Sequence, residues 1–441
     1  MKRFVYFMLV CILFGGLTGC SKRVGDGTSG SENVTKEENP AKTEVKFVSA
    51  DYQSGNTRIR KTDKGYYYLN KGLRYTDAAT GKDMYLCNKP ECRHDGNEFC
   101  VATNEKYRFN GFCIYSGTLV AAMIEETDTQ YLYKLFTIAL DGSQMNELAT
   151  YYTFEKSQGQ ACNRYNSQLI IHRNKVILPI EILGQEALED TFYYGLAIYD
   201  LDTNKVTFLD EEAVSRENTE STNISAYGDY VYYCRKEGKK TVLHRRHLTE
   251  GTDEAYKLLT GFGGTYIVLD DDTVVYSKKL GRGLCVHHHK TGENEEKVTL
   301  QKKVTHILTD GQLFESMMED ELGRLCTDGT YIYAFGTSTV IKSTNNETGE
   351  EMEQRINNLY VFDRALEEVT VINRAEDAWT ITWENAEEEL YPYLFSFIGD
   401  EAYVTFTPEE FNGNEYVFQC KRSALLAGEP KFEFAYSLSY R

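Results

Sequence analysis

One strand–turn–strand pattern recurs along most of the chain and limits the folds that it can adopt. A short apolar segment reaches an Asp, Asn or Gly turn, and an alternating aromatic segment follows. Because these turn residues tolerate the positive backbone angles of tight turns, each copy predicts a β-hairpin. In the second copy the predicted turn is Asn110-Gly111. The copies cover residues 59–69, 107–115, 169–178, 224–233, 266–276, 325–333 and 397–406.

A second hairpin follows each of these, so the chain contains seven predicted units of four strands. The units repeat about every 56 residues, within the range of propeller blades. Four-stranded antiparallel sheets repeated radially form a β-propeller, so we predict an all-β propeller of about seven four-stranded antiparallel blades. A long array of β-sandwiches is the alternative, and the lack of linkers between similar units argues against it. Residues 45–48 are expected to pair near residues 432–438 and close the ring.

The first twenty residues have the features of a secretory signal. Two basic residues precede an apolar run, residues 4–14, which is shorter than the roughly 20 residues of a membrane span. The ending Leu17-Thr18-Gly19-Cys20 resembles the bacterial lipobox, in which the cysteine is diacylated and the peptide before it is removed. The sequence therefore predicts a lipoprotein signal peptide at residues 1–19 and a lipid on Cys20. An ordinary signal peptide with an incidental cysteine is the alternative.

Composition divides the remaining chain into a tether and a folded part. Residues 20–44 are polar and almost free of apolar side chains, which is typical of a flexible tether, and residues 45–441 form the propeller. A lipid on Cys20 would hold the protein at the outer face of the cell membrane. The formal net charge is −19, which excludes nucleic acid as a favoured partner because its phosphates must be neutralised by Lys and Arg.

Three cysteines and one histidine lie close together outside the repeat. Cys87, Cys92, His94 and Cys100 have the spacing Cys-x4-Cys-x-His-x5-Cys. Zinc takes four sulfur or nitrogen ligands, and sites of three cysteines and one histidine are common. The segment therefore predicts one zinc or iron ion, with a disulfide among the three cysteines as an equal alternative. A site filled by four protein ligands would be structural, because a catalytic site keeps an open position.

Two further sets of residues have side chains that could bind ligands. Trp379 and Trp383 alternate with Ile381, so both indoles share one strand face. Such a pair can stack on a sugar ring, although alternating aromatics also form cores. The run His287–His289 cannot converge on one ion, because successive strand residues point to opposite faces. We therefore expect these histidines to be structural.

The segment that runs from Gly65–Leu69 through Leu73–Asp77 to the Cys-His cluster resembles a family of uncharacterised lipoproteins of Clostridia and related gut bacteria. The resemblance implies a lipobox, a polar tether and a propeller similar to the low-density-lipoprotein-receptor-like and TolB-like types. It also implies a cell surface of the Gram-positive type, and it implies no established reaction or ligand.

Together these features favour a ligand-binding or protein-interaction module at the cell surface. Its partner would be a glycan, a peptide or an envelope protein, and the membrane would be contacted through the lipid. A carbohydrate-active hydrolase or lyase and a structural component of an envelope complex are the alternatives. The sequence has no Gly-rich phosphate loop, no Gly-x-Ser-x-Gly elbow and no His-Glu-x-x-His motif, so an enzyme is the less favoured of these.

Overall fold

Seven sheets follow one another along the chain and form a seven-bladed β-propeller, and their strands pair antiparallel except for one parallel pair in the sixth sheet. The computed structural model describes residues 53–54, 59–97, 99–161, 169–184, 191–215, 224–237, 240–256, 261–278, 283–299, 301–308, 311–319, 322–344, 351–373, 390–408 and 414–439. The predicted signal peptide, Cys20, the tether and residues 45–48 lie outside these ranges. Trp379 and Trp383 lie outside them as well.

The first four blades hold the N-terminal half of the described chain. Blade 1 contains β2 (Arg60–Lys61), β3 (Gly65–Leu69), β4 (Leu73–Asp77) and β5 (Asp83–Tyr85). Blade 2 contains β6 (Tyr107–Tyr115), β7 (Thr118–Glu126), β8 (Gln130–Ala139) and β9 (Met145–Glu155), and a 3-10 turn at Lys156–Gln158 follows it. Blade 3 contains β10 (Gly159–Ala161), β11 (Ile170–His172), β12 (Lys175–Gly184), β13 (Thr191–Asp200) and β14 (Lys205–Ser215). Blade 4 contains β15 (Ser225–Tyr227), β16 (Tyr230–Glu237), β17 (Lys240–His247) and β18 (Asp253–Ala255), and β1 (Gln53–Ser54) joins it.

The last three blades complete the ring. Blade 5 contains β19 (Phe262–Val268), β20 (Thr273–Lys278), β21 (Leu284–His288) and β22 (Glu293–Val298). Blade 6 contains β23 (Gln301–Ile307), β24 (Leu313–Glu319), β25 (Leu322–Thr327), β26 (Ile332–Thr344), β27 (Glu351–Phe362) and β28 (Glu368–Asn373). Blade 7 contains β29 (Leu390–Ile398), β30 (Glu401–Pro408), β31 (Asn414–Lys421) and β32 (Glu433–Ser439), with the short helix α1 (Arg422–Leu426) before the last strand.

The middle strands are apolar on both faces because each blade packs against two neighbours. In β7, the residues from Leu119 to Glu125 are all buried. The outermost strands β5 and β18 are mostly exposed. Burial on both faces explains why a second strand such as β7 is a nearly continuous apolar run.

Seven hydrophobic clusters fill the seven interfaces between adjacent blades. Blades 1 and 2 share one cluster, and the next five interfaces have one each. The seventh joins Ile59 and Tyr68 of blade 1 to Tyr403, Val417 and Tyr436 of blade 7. The presence of this seventh cluster means that the ring is closed.

Side-chain packing closes the ring between blades 1 and 7. The rings of Tyr68 and Tyr436 stack with their centroids 4.0 Å apart, and Nδ2 of Asn70 donates to the carbonyl of Ser437 at 2.6 Å. Among the described residues, every strand of blade 1 comes from the N-terminal part of the chain and every strand of blade 7 from the C-terminal part. The predicted closure through residues 45–48 falls outside the described residues.

A short N-terminal strand lies on the inner side of blade 4. Strand β1 pairs antiparallel with β15, with Gln53 opposite Ala226 and Ser54 opposite Ser225. Because β15 is the first strand of its blade, its free edge faces the central channel of the propeller. An extended segment of the chain therefore occupies a channel-facing sheet edge.

The second copy of the sequence pattern is one strand rather than a hairpin, so the turn predicted at Asn110-Gly111 is wrong. These two residues lie at a bulge, where the β6–β7 register shifts between Phe109 and Gly111. The turn is at Ser116-Gly117, where φ is 47° and 76°. Both residues of such a turn need a positive φ, which glycine adopts without steric cost.

Helix α1 is a second departure from the predicted pattern of simple turns. Leu425 is fully buried in the cluster between blades 6 and 7. Arg422 reaches Asp328, a fully buried carboxylate in the β25–β26 turn, at 3.3 Å. The helix therefore ties blade 7 to blade 6. Within the described ranges, no helix has the length and apolar composition that a membrane span requires.

Candidate metal centre

The predicted Cys-His cluster lies in the connection between the outermost strand of blade 1 and the innermost strand of blade 2. Cys87 and Cys92 follow β5, and Cys100 precedes β6 by six residues. The thiol and imidazole ligand atoms of these three cysteines and His94 all lie within 4.8 Å of one another. The structure therefore brings together the four residues that the sequence singled out.

The distance between the ligand atoms of His94 and Cys100 matches that of a tetrahedral ion. Nδ1 of His94 is 3.5 Å from Sγ of Cys100. A tetrahedral zinc with Zn–S bonds of about 2.3 Å and Zn–N bonds of about 2.0 Å separates its sulfur and nitrogen ligands by about 3.5 Å. The three cysteines carry free thiols. The donor set of three sulfurs and one imidazole is therefore suited to zinc or iron.

Hydrogen bonds reach two of the three sulfur atoms at this site. The backbone N–H of His94 donates to Cys92 and is the largest cause of a lowered pKa at that thiol. Burial raises the pKa of the Cys87 thiol. Oγ1 of Thr103 donates to Sγ of Cys100 at 3.2 Å. Such hydrogen bonds to sulfur orient metal-ligating cysteines and support their binding of an ion.

The backbone of the loop turns sharply between its ligands. His94 has φ 55° and Gly96 has φ 94°, a region that only glycine adopts readily. A Cβ atom on Gly96 would lie 2.4 Å from the side chain of Glu105. The carbonyl of Gly96 accepts from the backbone N–H of Glu105 at 2.9 Å. Gly96 thus permits both the turn and its close approach to the end of the loop.

One residue of blade 1 holds both ends of the loop. The backbone N–H of Leu73 donates to the carbonyl of Ala102, and its carbonyl accepts from the N–H of Leu86, both at 2.9 Å. Leu86, Val101 and Ala102 are all buried. The loop therefore starts and ends at fixed points on the same strand.

The loop also contacts blade 2. Nδ2 of Asn88 donates to Asp141 at 3.2 Å, and a Cβ atom on Gly142 would meet the carbonyl of Leu86 at 2.5 Å. Asp141 and Gly142 form the turn between β8 and β9. An ion in this loop would therefore stabilise the junction of two blades, which is a structural role.

The loop displays one aromatic side chain to solvent. Phe99, directly before the last cysteine ligand, is 68% exposed. The ammonium of Lys89 lies 5.8 Å from the centre of its ring and also contacts its backbone carbonyl. The ring of Tyr85 packs against that of His94, with their centroids 5.2 Å apart. Sequence reasoning missed Phe99, and its position between ligands was the available signal.

The described cysteines outside the loop lie in different blades. Cys234, Cys285 and Cys420 are buried, and Cys113 and Cys326 are partly buried. Burial raises the pKa of Cys420 to about 12 and also raises the pKa of Cys234 and Cys326. The thiols whose pKa is raised are poor nucleophiles, and the buried cysteines act as small core residues.

The histidines of blades 4 and 5 have structural partners. The guanidinium of Arg245 donates to Nε2 of His289 at 2.7 Å, which requires a neutral imidazole, and it also pairs with Glu254 at 2.8 Å. Burial and the nearby Arg245 charge lower the pKa of His289. The ring of Tyr256 packs against His289 at 4.6 Å. These contacts join two blades, and among the described residues only the Cys-His loop gathers a set of metal ligands.

The chain matches no protein-family model and no curated protein. Solved structures with a similar fold include the β-propeller domain of the Trilobed protease from Pyrococcus furiosus, with 11% identity, a TM-score of 0.36, and 71% of this chain and 82% of that chain covered. TolB from Acinetobacter baumannii has 11% identity, a TM-score of 0.24 and coverage of 71% and 79%. Prolyl oligopeptidase B from Galerina marginata has 10% identity, a TM-score of 0.47 and coverage of 87% and 50%. These similarities assign no activity, ligand or partner to this chain.

Proposed function

We propose that this chain is a lipid-anchored, extracytoplasmic propeller that acts as a protein-interaction module, with a structural metal ion in the Cys87–Cys100 loop. The lipid on Cys20 and the outer face of the cell membrane are inferred from the sequence of the first twenty residues. The propeller scaffold is consistent with a binding role. Fold alone assigns no function, so the proposal depends on the chemistry of the loop.

The exposed phenyl ring of Phe99 is the observation that carries the proposal. Large aromatic side chains are enriched at the centres of protein interfaces and are costly to leave in water. Phe99 is 68% exposed, on a loop whose ends are fixed by Leu73 and whose interior would be closed by an ion. A rigid loop presents such a side chain with little loss of conformational entropy on binding.

Crosslinking of the intact protein in its own cells tests the binding role. Cells producing the full chain are treated with a membrane-impermeant amine crosslinker, and adducts of the protein are resolved by mass. We expect a discrete adduct that is lost in Phe99→Ala, because truncation of an interface aromatic weakens binding by roughly 2 kcal/mol or more. Phe434→Ala is the matched control, since Phe434 is an exposed phenylalanine on β32.

Three crosslinking results are distinguishable. An adduct lost in Phe99→Ala and retained in Phe434→Ala supports the module and its binding loop. An adduct pattern that is the same in both variants excludes Phe99 as the contact. No adduct in any variant refutes the binding role.

The anchor has its own test. Cells are grown with an alkyne-labelled fatty acid, and the purified protein is examined for the label. We expect labelled wild-type protein in the membrane fraction, and unlabelled Cys20→Ala with the signal still attached. Label on neither protein would remove lipid anchoring from the proposal.

A further inference from the structure

An additional hairpin, β23–β24, widens the sheet of blade 6 on the same edge of β26 that carries β25. The first part of β26 pairs with β25, and its last part pairs in parallel with β23, from Lys303 opposite Thr339 to Ile307 opposite Ser343. Strand β24 then pairs with β23, so the strand order is β24-β23-β26-β27-β28. Strand β24 therefore ends the sheet on the side of β26 that carries the innermost strand.

Charge is the one protective device that the edge formed by β24 carries, in Glu315 and Glu319. Its seven pairs with β23, from Gln301 opposite Glu319 to Ile307 opposite Leu313, contain no bulge. Its sequence, Leu-Phe-Glu-Ser-Met-Met-Glu, has no proline or lysine. Native edge strands are normally protected by a bulge, a proline or a charged residue such as lysine. Within the described residues, β24 pairs with β23 only.

The turn end of this hairpin is apolar and exposed on both of its faces. Ile307 and Leu313 are opposite each other and are 37% and 66% exposed, and Phe314 is 57% exposed. Because adjacent strand residues point to opposite faces, Leu313 and Phe314 lie on different sides of the sheet. A partner that pairs with β24 would cover apolar surface on both sides.

The same propeller already accepts an added strand at an inner edge. Strand β1 pairs with the channel-facing edge of β15, which shows that an extended segment fits beside an innermost strand of this ring. Backbone pairing with an open edge is a general mode of peptide recognition, in which alternate side chains give specificity.

The negative charge of β24 and of the whole chain disfavours a second copy of this chain as the partner. Glu315 is exposed on β24, the strand sequence adds Glu319, and the chain has a net charge of −19. Self-pairing of β24 would bring two acidic strands together, and like charges on paired strands are destabilising. An incoming strand that carries lysines would instead be attracted by the negative charge of this edge and of the whole chain.

From these observations we propose that β24 is a docking edge for an extended segment of a partner protein, in which apolar residues alternate with basic ones. The inference depends on the proposed interaction module and names the class of partner. Alternation places the basic residues on the face of Glu315 and the apolar residues on the face of Phe314.

Binding of short synthetic peptides to the full-length protein tests this inference. The probes are labelled peptides of alternating Val and Lys, the same peptide with N-methylated backbone amides, and alternating Val and Glu, titrated to about millimolar concentration and followed by fluorescence anisotropy. We expect only the unmodified Val-Lys peptide to bind. N-methylation should weaken it at least about tenfold, because it removes several backbone hydrogen bonds.

Variants place the contact on β24. The hydrogen bond from Leu308 to Gln312 closes the hairpin, so antiparallel alternation directs the N–H of Met317 away from β23. Met317→Pro should keep the fold and weaken the peptide at least about tenfold, since proline is tolerated on edge strands at such positions. Phe314→Ser should also weaken it, without altering the backbone. Val369→Thr, on the opposite edge strand β28 and 49% exposed, should leave binding unchanged.

Every other result contradicts the proposal that β24 is a docking edge. No binding of the Val-Lys peptide, or equal binding of the N-methylated one, excludes strand addition. A dimer by light scattering that Met317→Pro abolishes would assign the edge to a second copy, and sedimentation with phosphatidylcholine vesicles that Phe314→Ser abolishes would assign it to a bilayer. If these peptides fail while the Phe99-dependent adduct persists, the interaction module stands and only the docking edge is wrong.

Discussion

Removing the metal ion that we propose for the Cys87–Cys100 loop is expected to destabilise the protein by about 3 kcal/mol. The ligands close a loop of fourteen residues, and the chain-entropy relation for a cross-link across that length gives about 3 kcal/mol at 25 °C. For a folded part of about 400 residues, this free energy corresponds to a fall in Tm of about 4 °C.

The assay is calorimetry on protein purified without oxygen or chelator, with metal content measured by mass spectrometry. We expect one ion per chain, and a Tm about 4 °C lower both after chelation and in Cys92→Ser. Cys113→Ser is the matched control, because Cys113 is a partly buried thiol outside the loop. It should keep the ion and stay within about 1 °C of the wild type.

Two results would refute this reasoning. A thiol count that is two short, with a Tm lowered by reductant but not by chelator, would show that a disulfide closes the loop. A Tm that neither chelation nor Cys92→Ser changes would show that the loop contributes nothing to stability.

Three further predictions concern the contacts between blades. The folded-state pKa of His289 is lowered, so its contribution to stability is present above the unfolded pKa of about 6.5 and is lost as the pH falls below that value. The Tm should therefore fall between pH 7.5 and pH 5. The variant His289→Gln should show a smaller fall over the same pH range. Asp328→Ala should cost about 3 kcal/mol in urea unfolding, because it leaves the Arg422 guanidinium, 13% exposed, without its buried carboxylate. Lys421→Ala, which breaks an exposed pair, should leave the urea midpoint nearly unchanged. Tyr436→Ala should cost about 3 kcal/mol, since it removes a buried aromatic ring between the first and last blades; an unchanged denaturation midpoint would argue that this interface contributes little.

Local turn chemistry and alternation were enough to predict the seven-bladed fold and the convergence of the Cys-His cluster. Six of the seven first hairpins have the predicted strands and turns, such as β15–β16 at Gly228-Asp229. The failure at Asn110-Gly111 has a physical cause, because the same dipeptide serves a bulge as well as a turn. Only the pairing of β6 with β7 distinguishes these two roles.

The features missed from the sequence depend on contacts between distant residues. Strand β23 is held by parallel pairing with β26, 36 positions further along at Lys303 opposite Thr339, and no local pattern encodes such a contact. Asp310-Gly311 was a turn signal for the hairpin, but it does not predict where the hairpin docks. The exposure of Phe99 and the position of α1 likewise follow from packing with neighbouring elements.

The seam between the first and last blades has a consequence for the order in which the protein forms. Asn70 and its partner Ser437 are 367 positions apart. At a synthesis rate of 5–20 residues per second, blade 7 is therefore synthesised about 20–70 seconds after blade 1. Throughout that interval the apolar face of Ile59 and Tyr68 has no native cover. The nascent chain is therefore prone to aggregation at blade 1. A chaperone that covers the face of Ile59 and Tyr68 until synthesis ends would raise the yield of folded protein.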